Sequence, residues 1–397
     1  MIDYKAIMNE RVRSLKPSGI RKFFDLMADM NDGTAISLGI GEPDFVTPWH
    51  IREAGIYSLE QGYTKYTPNA GMKRLREEIS KYLVRRFDLR YDPNGEIFVT
   101  VGGSEAIDLC VRALCGPGDE AIIPVPSFVC YGPIVTMSGA TPVYIETKAE
   151  NEFRLTADEL RAAITPKTKL IVLPFPNNPT GGIMERADLE AIAEVLRGTQ
   201  IMILSDEIYS ELSYGVHHTS PANIPELYER TLVVNGFSKA YAMTGWRMGY
   251  VCGPRELLGQ MVKIHQYGIM SAPTTSQYAA IEALKNGDED IEKMRESYDF
   301  RRRLMLSRLR DAGLECFEPK GAFYMFPCIK STGLSSDEFC TRFLQEYKVA
   351  VIPGTAFGDG GEGFVRMCYA ASVRDIEEAM DRLAEFVRKV KNERESN

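Results

Sequence analysis

A lysine and an arginine, Lys239 and Arg247, stand among small and apolar residues in the run Gly236-Phe-Ser-Lys239-Ala-Tyr-Ala-Met-Thr-Gly-Trp-Arg247-Met-Gly249. An amine in apolar surroundings is held towards its neutral, nucleophilic form and can condense with a carbonyl to a Schiff base. A guanidinium is a planar, permanently charged fork that matches a phosphate. The segment therefore suits a ligand carrying both an aldehyde and a phosphate. A surface lysine after a strand is the plainer reading of Lys239, but Ser238 before it and Arg247 beyond it argue for the chemical one.

Other residues of the same kind are spread along the chain. Asp206 closes the apolar run Ile201-Met-Ile-Leu-Ser205, where a carboxylate is costly unless paired. It could equally cap a helix beginning near 207, and Glu207 is a rival carboxylate. Gly102-Gly103-Ser104-Glu105-Ala106 lies between a strand pattern and a helix pattern, so backbone N–H groups at the helix start offer a phosphate site. Arg366 interrupts the apolar run Phe364-Val-Arg-Met-Cys-Tyr-Ala370, and a buried guanidinium demands an anionic partner. Asn178 lies in Pro176-Asn-Asn-Pro-Thr-Gly181, a strong turn signal. Gly39-Ile-Gly41-Glu-Pro-Asp44 opens like a dinucleotide fingerprint, but Asp44 takes the place of the third glycine and no helix-opening phrase follows.

Pyridoxal 5'-phosphate combines an aldehyde with a phosphate, and the Lys239 segment resembles the lysine-attachment signature of the class I/II pyridoxal-phosphate aminotransferases of fold type I. The resemblance runs in the family's order from Ser18-Gly-Ile-Arg-Lys-Phe23 to Arg366 and beyond. It is strongest to the branch of aspartate, aromatic and N-acetyl-diaminopimelate aminotransferases. It implies that Lys239 carries the cofactor and moves the substrate's Cα proton, that Asp206 holds the ring nitrogen, and that Asn178 and Tyr209 bind the phenolic oxygen. It implies a phosphate cup of Gly103, Ser104, Glu105, Ser238 and Arg247, with Gly236 standing where some members have a further serine. Phe128 would stack on the ring and border the substrate, although plain core is an alternative for it. Arg366, with Asn178 and the backbone at Gly41, would clamp the substrate α-carboxylate. Tyr66, in Tyr63-Thr-Lys-Tyr-Thr-Pro-Asn-Ala-Gly71, resembles a tyrosine that reaches the neighbouring subunit's phosphate, which implies a homodimer with a shared active site. The expected reaction is ping-pong transfer of an amino group from an L-amino acid to a 2-oxo acid, with 2-oxoglutarate as acceptor. The same motifs would serve a carbon–sulfur lyase or a decarboxylase. A regulator with an aminotransferase-like domain would need an added basic arm, for which residues 1–45 are too few and insufficiently basic.

These residues require a scaffold that brings them together. Five short apolar runs, Glu96 to Val101, Glu120 to Pro124, Lys169 to Leu173, Ile201 to Ser205 and Thr231 to Asn235, alternate with helical patterns, the signature of a parallel sheet buried on both faces. Ligands bind beyond the carboxyl ends of such strands, and Gly103, Phe128, Asn178, Asp206 and Lys239 each follow one run. The resemblance implies an α/β fold in which a mostly parallel seven-stranded sheet lies between helices, accompanied by a smaller α+β domain. Residues 47–289 are expected to form the large cofactor-binding domain. Residues 1–46 and 290–397 form the small one, with a charged helix, short strands near 321–326, 349–352 and 363–368, and a final helix from about 373.

Composition excludes several other classes. The 397 residues carry a formal charge of -8, which argues against a nucleic-acid surface. The basic runs Arg301-Arg302-Arg303 and Arg388 to Lys391 read as solvated helix faces. Eight cysteines without a CxxC pair read as reduced core residues. Only four histidines occur, with His217 and His218 read as exposed loop residues, so a metal site or histidine triad is poorly supported. Without a signal-like N-terminus or a run approaching roughly 18 apolar residues, a cytoplasmic protein with no membrane contact is expected.

Overall fold

The computed structural model describes residues 2–17, 19–20 and 34–396. Its strands are β1 (Ile36–Ser37), β2 (Ile97–Thr100), β3 (Glu120–Val125), β4 (Thr141–Glu146), β5 (Thr168–Leu173), β6 (Met202–Asp206), β7 (Thr231–Gly236), β8 (Gly249–Cys252), β9 (Tyr324–Met325), β10 (Val349–Ala350), β11 (Ile352–Pro353) and β12 (Val365–Cys368). Seven of them form one sheet in the order β2-β8-β7-β6-β5-β3-β4. The pairs from β7 to β4 are parallel, whereas β8 runs antiparallel to both its neighbours. The chain is thus α/β with a mostly parallel central sheet, and the carboxyl ends of β2, β3, β5, β6 and β7 share one edge.

Alternating side chains explain why these strands read as unbroken apolar runs. Ile97, Val99 and Val233 pack under the helices Lys73–Phe87 and Thr274–Asn286. Phe98, Leu232 and Val234 face the opposite layer, with Ile107 and Val111 of the helix Gly102–Leu114. Both faces are therefore dry. Two strands had escaped the five-run reading. The edge strand β4 is largely exposed and has no continuous apolar stretch, and β8 follows the Lys239–Arg247 segment without a helical phrase between.

Beyond Asp288 the helices Asp288–Asp311, Ser336–Tyr347 and Val373–Glu395 pack against the antiparallel set β11-β12-β9. The helix Ser336–Tyr347 opens on a reciprocal cap between Ser335 and Glu338. The N-terminal β1 pairs in parallel with β10, and Ile36 and Leu38 join the cluster containing Phe339, Phe343 and Phe386. Two expectations change here. Arg301 and Arg302 are buried, Arg301 pairing with Asp44 at 2.7 Å and Arg302 with Glu318 at 2.8 Å, because the helix turns that face inward onto carboxylates. The side chain of His218 is likewise buried against Glu207 at 2.9 Å, while His217 is exposed.

Candidate active site

The strand ends converge on a cavity of about 380 Å³, within the range of small-molecule sites. At one end of it Gly102 turns the chain from β2 into the helix Gly102–Leu114 with φ +74, a conformation that favours glycine. No side chain caps that helix, so its first N–H groups, at Gly103 and Ser104, remain available at the positive end of the dipole. A Cβ on Gly102 would lie 2.5 Å from Nη2 of Arg247, and one on Gly249 would lie 2.6 Å from the Gly102 carbonyl carbon. The arginine thus sits directly against a bare helix start. Its Nη1 donates to the Thr244 carbonyl at 2.9 Å, and among the described residues no carboxylate pairs with it. A concentrated positive site of this kind fits a phosphate.

Lys239 follows β7 by three residues and donates from Nζ to the Gly41 carbonyl at 2.7 Å. Burial pulls its pKa down to about 8, with Arg366 and Arg247 acting in the same direction. A useful share of the amine is therefore neutral near physiological pH. Asp206 ends β6, where burial pushes its pKa up. The Tyr131 hydroxyl donates to Oδ2 at 2.7 Å and the Ile208 N–H to Oδ1 at 3.2 Å, opposing that shift. The expected helix at 207 is absent, because the chain turns here instead. Glu207, the rival carboxylate, is spent on Ser205, Ser220 and His218.

Arg366 on β12 is 2% exposed. Its Nη1 donates to Asn178 Oδ1 at 2.8 Å, its Nη2 to the Gly39 carbonyl at 2.5 Å, and among the described residues its Nε has no partner. The Tyr324 and Phe357 rings flank the guanidinium with centroids at 4.6 and 4.8 Å. Among the described residues no carboxylate pairs with it, although it borders the same cavity as Lys239. Tyr209 lines the cavity and shares a 2.7 Å hydrogen bond with the Tyr324 hydroxyl.

Eleven of the residues singled out in the sequence thus border one cavity, from Gly41, Gly103, Ser104 and Phe128 through Asn178, Asp206 and Tyr209 to Ser238, Lys239, Arg247 and Arg366. Two do not. Glu105 turns back to accept from the Val101 N–H at 2.5 Å and to pair with His265 Nδ1 at 2.6 Å, since a carboxylate beside a phosphate cup would repel its ligand. Tyr66 is 80% exposed on the single chain. Of the Ser18–Phe23 motif only Gly19 and Ile20 lie within the described residues. The sequence reading missed Tyr131, Tyr324, Glu42 and Thr244, which also border the cavity. The donor set fits pyridoxal 5'-phosphate: a cationic cup where a Cβ has no room, a buried carboxylate, and an amine of lowered pKa.

The family model described as aminotransferase class I and II matches residues 34–383. A Bacillus subtilis (strain 168) protein, YugH, whose name places it among the aminotransferases, is 52% identical over 96% of this chain and 98% of its own length. An aspartate aminotransferase of Pyrococcus abyssi is 46% identical over 97% of this chain and 99% of its own. Among solved structures, an aromatic aminotransferase from Pyrococcus horikoshii OT3 superposes with a TM-score of 0.88 at 42% identity, covering 93% of this chain and 99% of the other.

Proposed function

The chain belongs to the class I and II aminotransferases, pyridoxal-phosphate enzymes that pass an amino group from an amino acid to a 2-oxo acid, and on that footing we propose how its residues divide the work. Arg247, Ser238 and the N–H groups of Gly103 and Ser104 hold the phosphate. Asp206 holds the ring nitrogen as a cation, which offsets the cost of its own burial. Lys239 would hold the aldehyde covalently, and its amine would take the Cα proton on Nζ and return it. Its pKa of about 8 suits both directions. Tyr209 and Asn178 would hold the ring oxygen, Phe128 would pack on the ring, and Arg366 would receive the α-carboxylate. When bound, the cofactor supplies a conjugated ring that takes up the electron pair left at Cα.

The observation that carries this reading is the buried Arg366, which has no carboxylate partner among the described residues and opens onto the same cavity as an amine of lowered pKa. We take 2-oxoglutarate as the acceptor, as the family resemblance implies, and both acidic and aromatic amino acids as donor classes, following the names of the Pyrococcus abyssi and Pyrococcus horikoshii proteins. A panel of donors assayed for glutamate formed from 2-oxoglutarate tests it. Pyruvate and ammonia released without any oxo acid would overturn it.

Two further readings belong here. A homodimer is supported by exposed apolar surface at Tyr66, Tyr267 (88% exposed) and Trp49. Hydrogen bonds from Asn69 to the Met270 carbonyl and from Thr274 to the Lys65 carbonyl tie the Tyr66 loop to the segment that follows Tyr267. In that dimer Tyr66 would reach the phosphate of the second copy. Among the described residues no helix is long and apolar enough to cross a membrane, and the absence of disulfides among the cysteines favours a reducing compartment, the cytoplasm. The division into residues 47–289 and the remainder is retained as a proposal, favoured by the β1–β10 pairing.

A further inference from the structure

Tyr324 has no assigned role, yet it touches three parts of the site. Among the described residues its hydroxyl makes a single hydrogen bond, to the Tyr209 hydroxyl at 2.7 Å. Its ring lies against the Arg366 guanidinium at 4.6 Å. The same hydroxyl stands 2.6 Å from where a Cβ on Gly41 would be, and the Gly41 carbonyl receives Lys239. Burial pushes both phenols above their ordinary range, so both keep their protons at neutral pH. Two phenols in one hydrogen bond have two protons between them. One bridges the oxygens and the other is free to point elsewhere.

Which proton bridges is decided by relative acidity. The Arg366 cation sits over the face of Tyr324 and is the foremost charge acting on it, whereas for Tyr209 it ranks below the neighbouring phenol. A cation on a ring face draws electron density from the ring and makes its hydroxyl the stronger donor. The remaining charged or titratable neighbours are shared by both rings or lie farther off. Cys368 acts on both phenols, and Lys239 Nζ lies 5.7 Å from the Tyr209 ring. The register of β9 on β12 fixes the donor, pairing Tyr324 with Cys368 two residues from Arg366.

We infer that Tyr324 is a positioning residue, donating to Tyr209 so that the Tyr209 proton is turned outward to the ring oxygen of the cofactor. This rests on the role proposed above for Tyr209. A donor at that oxygen withdraws charge from the ring, so weakening it makes the nitrogen of the neighbouring lysine linkage more basic.

The test is a pH titration of the visible absorbance of the holoenzyme. Tyr209→Phe should raise the midpoint by on the order of one unit, and Tyr324→Phe should raise it by less. In the Tyr209→Phe background Tyr324→Phe should add nothing, and the KM for amino donors should change less than about twofold because Phe retains the ring on Arg366. Equal shifts from Tyr324→Phe in both backgrounds, or none in the wild-type background, would overturn the relay and leave Tyr209 in place. No shift from Tyr209→Phe would remove the assignment of Tyr209 and the relay with it.

Discussion

Replacing Arg366 tests the contact proposed above for the α-carboxylate of every amino-acid donor. Arg366 is buried with Nε unpartnered and both terminal nitrogens on neutral acceptors, Asn178 Oδ1 and the Gly39 carbonyl. A substrate carboxylate therefore meets a guanidinium whose desolvation is already complete. Hydrogen bonds to a charged group contribute roughly 1.5–3 kcal/mol each, and a fork makes two, so the lower bound is about 3 kcal/mol. At 1.36 kcal/mol per decade this is on the order of 10² in kcat/KM. The upper bound is higher, but water entering the space left by Arg366→Ala would recover part of it. The loss should be equal for aspartate, phenylalanine and any other α-amino acid. Arg366→Lys keeps a charge without the fork and should regain only part of the activity. Cofactor content, measured by absorbance after dialysis, should stay near stoichiometric and serves as the folding control. A variant impaired for one donor and normal for the others would refute the reasoning, since it would place Arg366 at the side-chain pocket.

Three more outcomes are expected. Lys239→Met should abolish turnover while the protein stays folded. Because the folded-state pKa of about 8 lies below the unfolded value of 10.5, the unfolded chain binds the extra proton, and the lysine costs the apoenzyme about 3 kcal/mol below pH 8, a cost that fades as pH rises to 10.5. Urea titrations should accordingly show apo Lys239→Met more stable than apo wild type at pH 7, with the gap closing by pH 10; a constant gap would contradict the depressed pKa. Gly102→Ala, at φ +74 and 2.5 Å from Arg247, should cost roughly 1 kcal/mol of stability through backbone strain and weaken cofactor affinity about tenfold by displacing the guanidinium, and unchanged affinity would move the phosphate elsewhere. Tyr66→Phe should weaken cofactor binding in a particle sedimenting at twice the 44.5 kDa chain mass, and a monomer with full cofactor affinity would end the shared-site reading.

Particular residues show what was legible in the sequence. The runs ending at Val101, Ser205 and Asn235 could be read because both sheet faces are buried, which makes the corresponding strands largely apolar and leaves the polar residues at and beyond their ends conspicuous. β4 could not, because an edge strand with exposed Thr141, Tyr144 and Glu146 carries no such contrast. Within the site, Tyr131 lies three residues after Phe128, but its partner Asp206 is 75 positions away, and nothing local marks a phenol for a distant carboxylate. Tyr324 is hidden in the same way within Gly321-Ala-Phe-Tyr-Met-Phe326. Glu105 misled for the opposite reason, being adjacent in sequence to residues that face the cavity while its own position on the helix points it at His265. The buried Arg301 was missed because a run of three arginines looks solvated unless the carboxylate of Asp44 is known to lie beneath it.

The reversed strand β8 also sets an order of events during synthesis. Its first residue, Gly249, abuts Gly102, and Arg247 stands against the same turn, so the two walls of the cationic cup are separated by nearly the whole stretch from β2 to β8. A nascent chain that has emerged only as far as β7 has the bare helix start at Gly102 but lacks the strand that joins β2 to the rest of the sheet. The cup comes into being with the last strand inserted, between two already made. A phosphate held there, as proposed, would report that the sheet has closed in register.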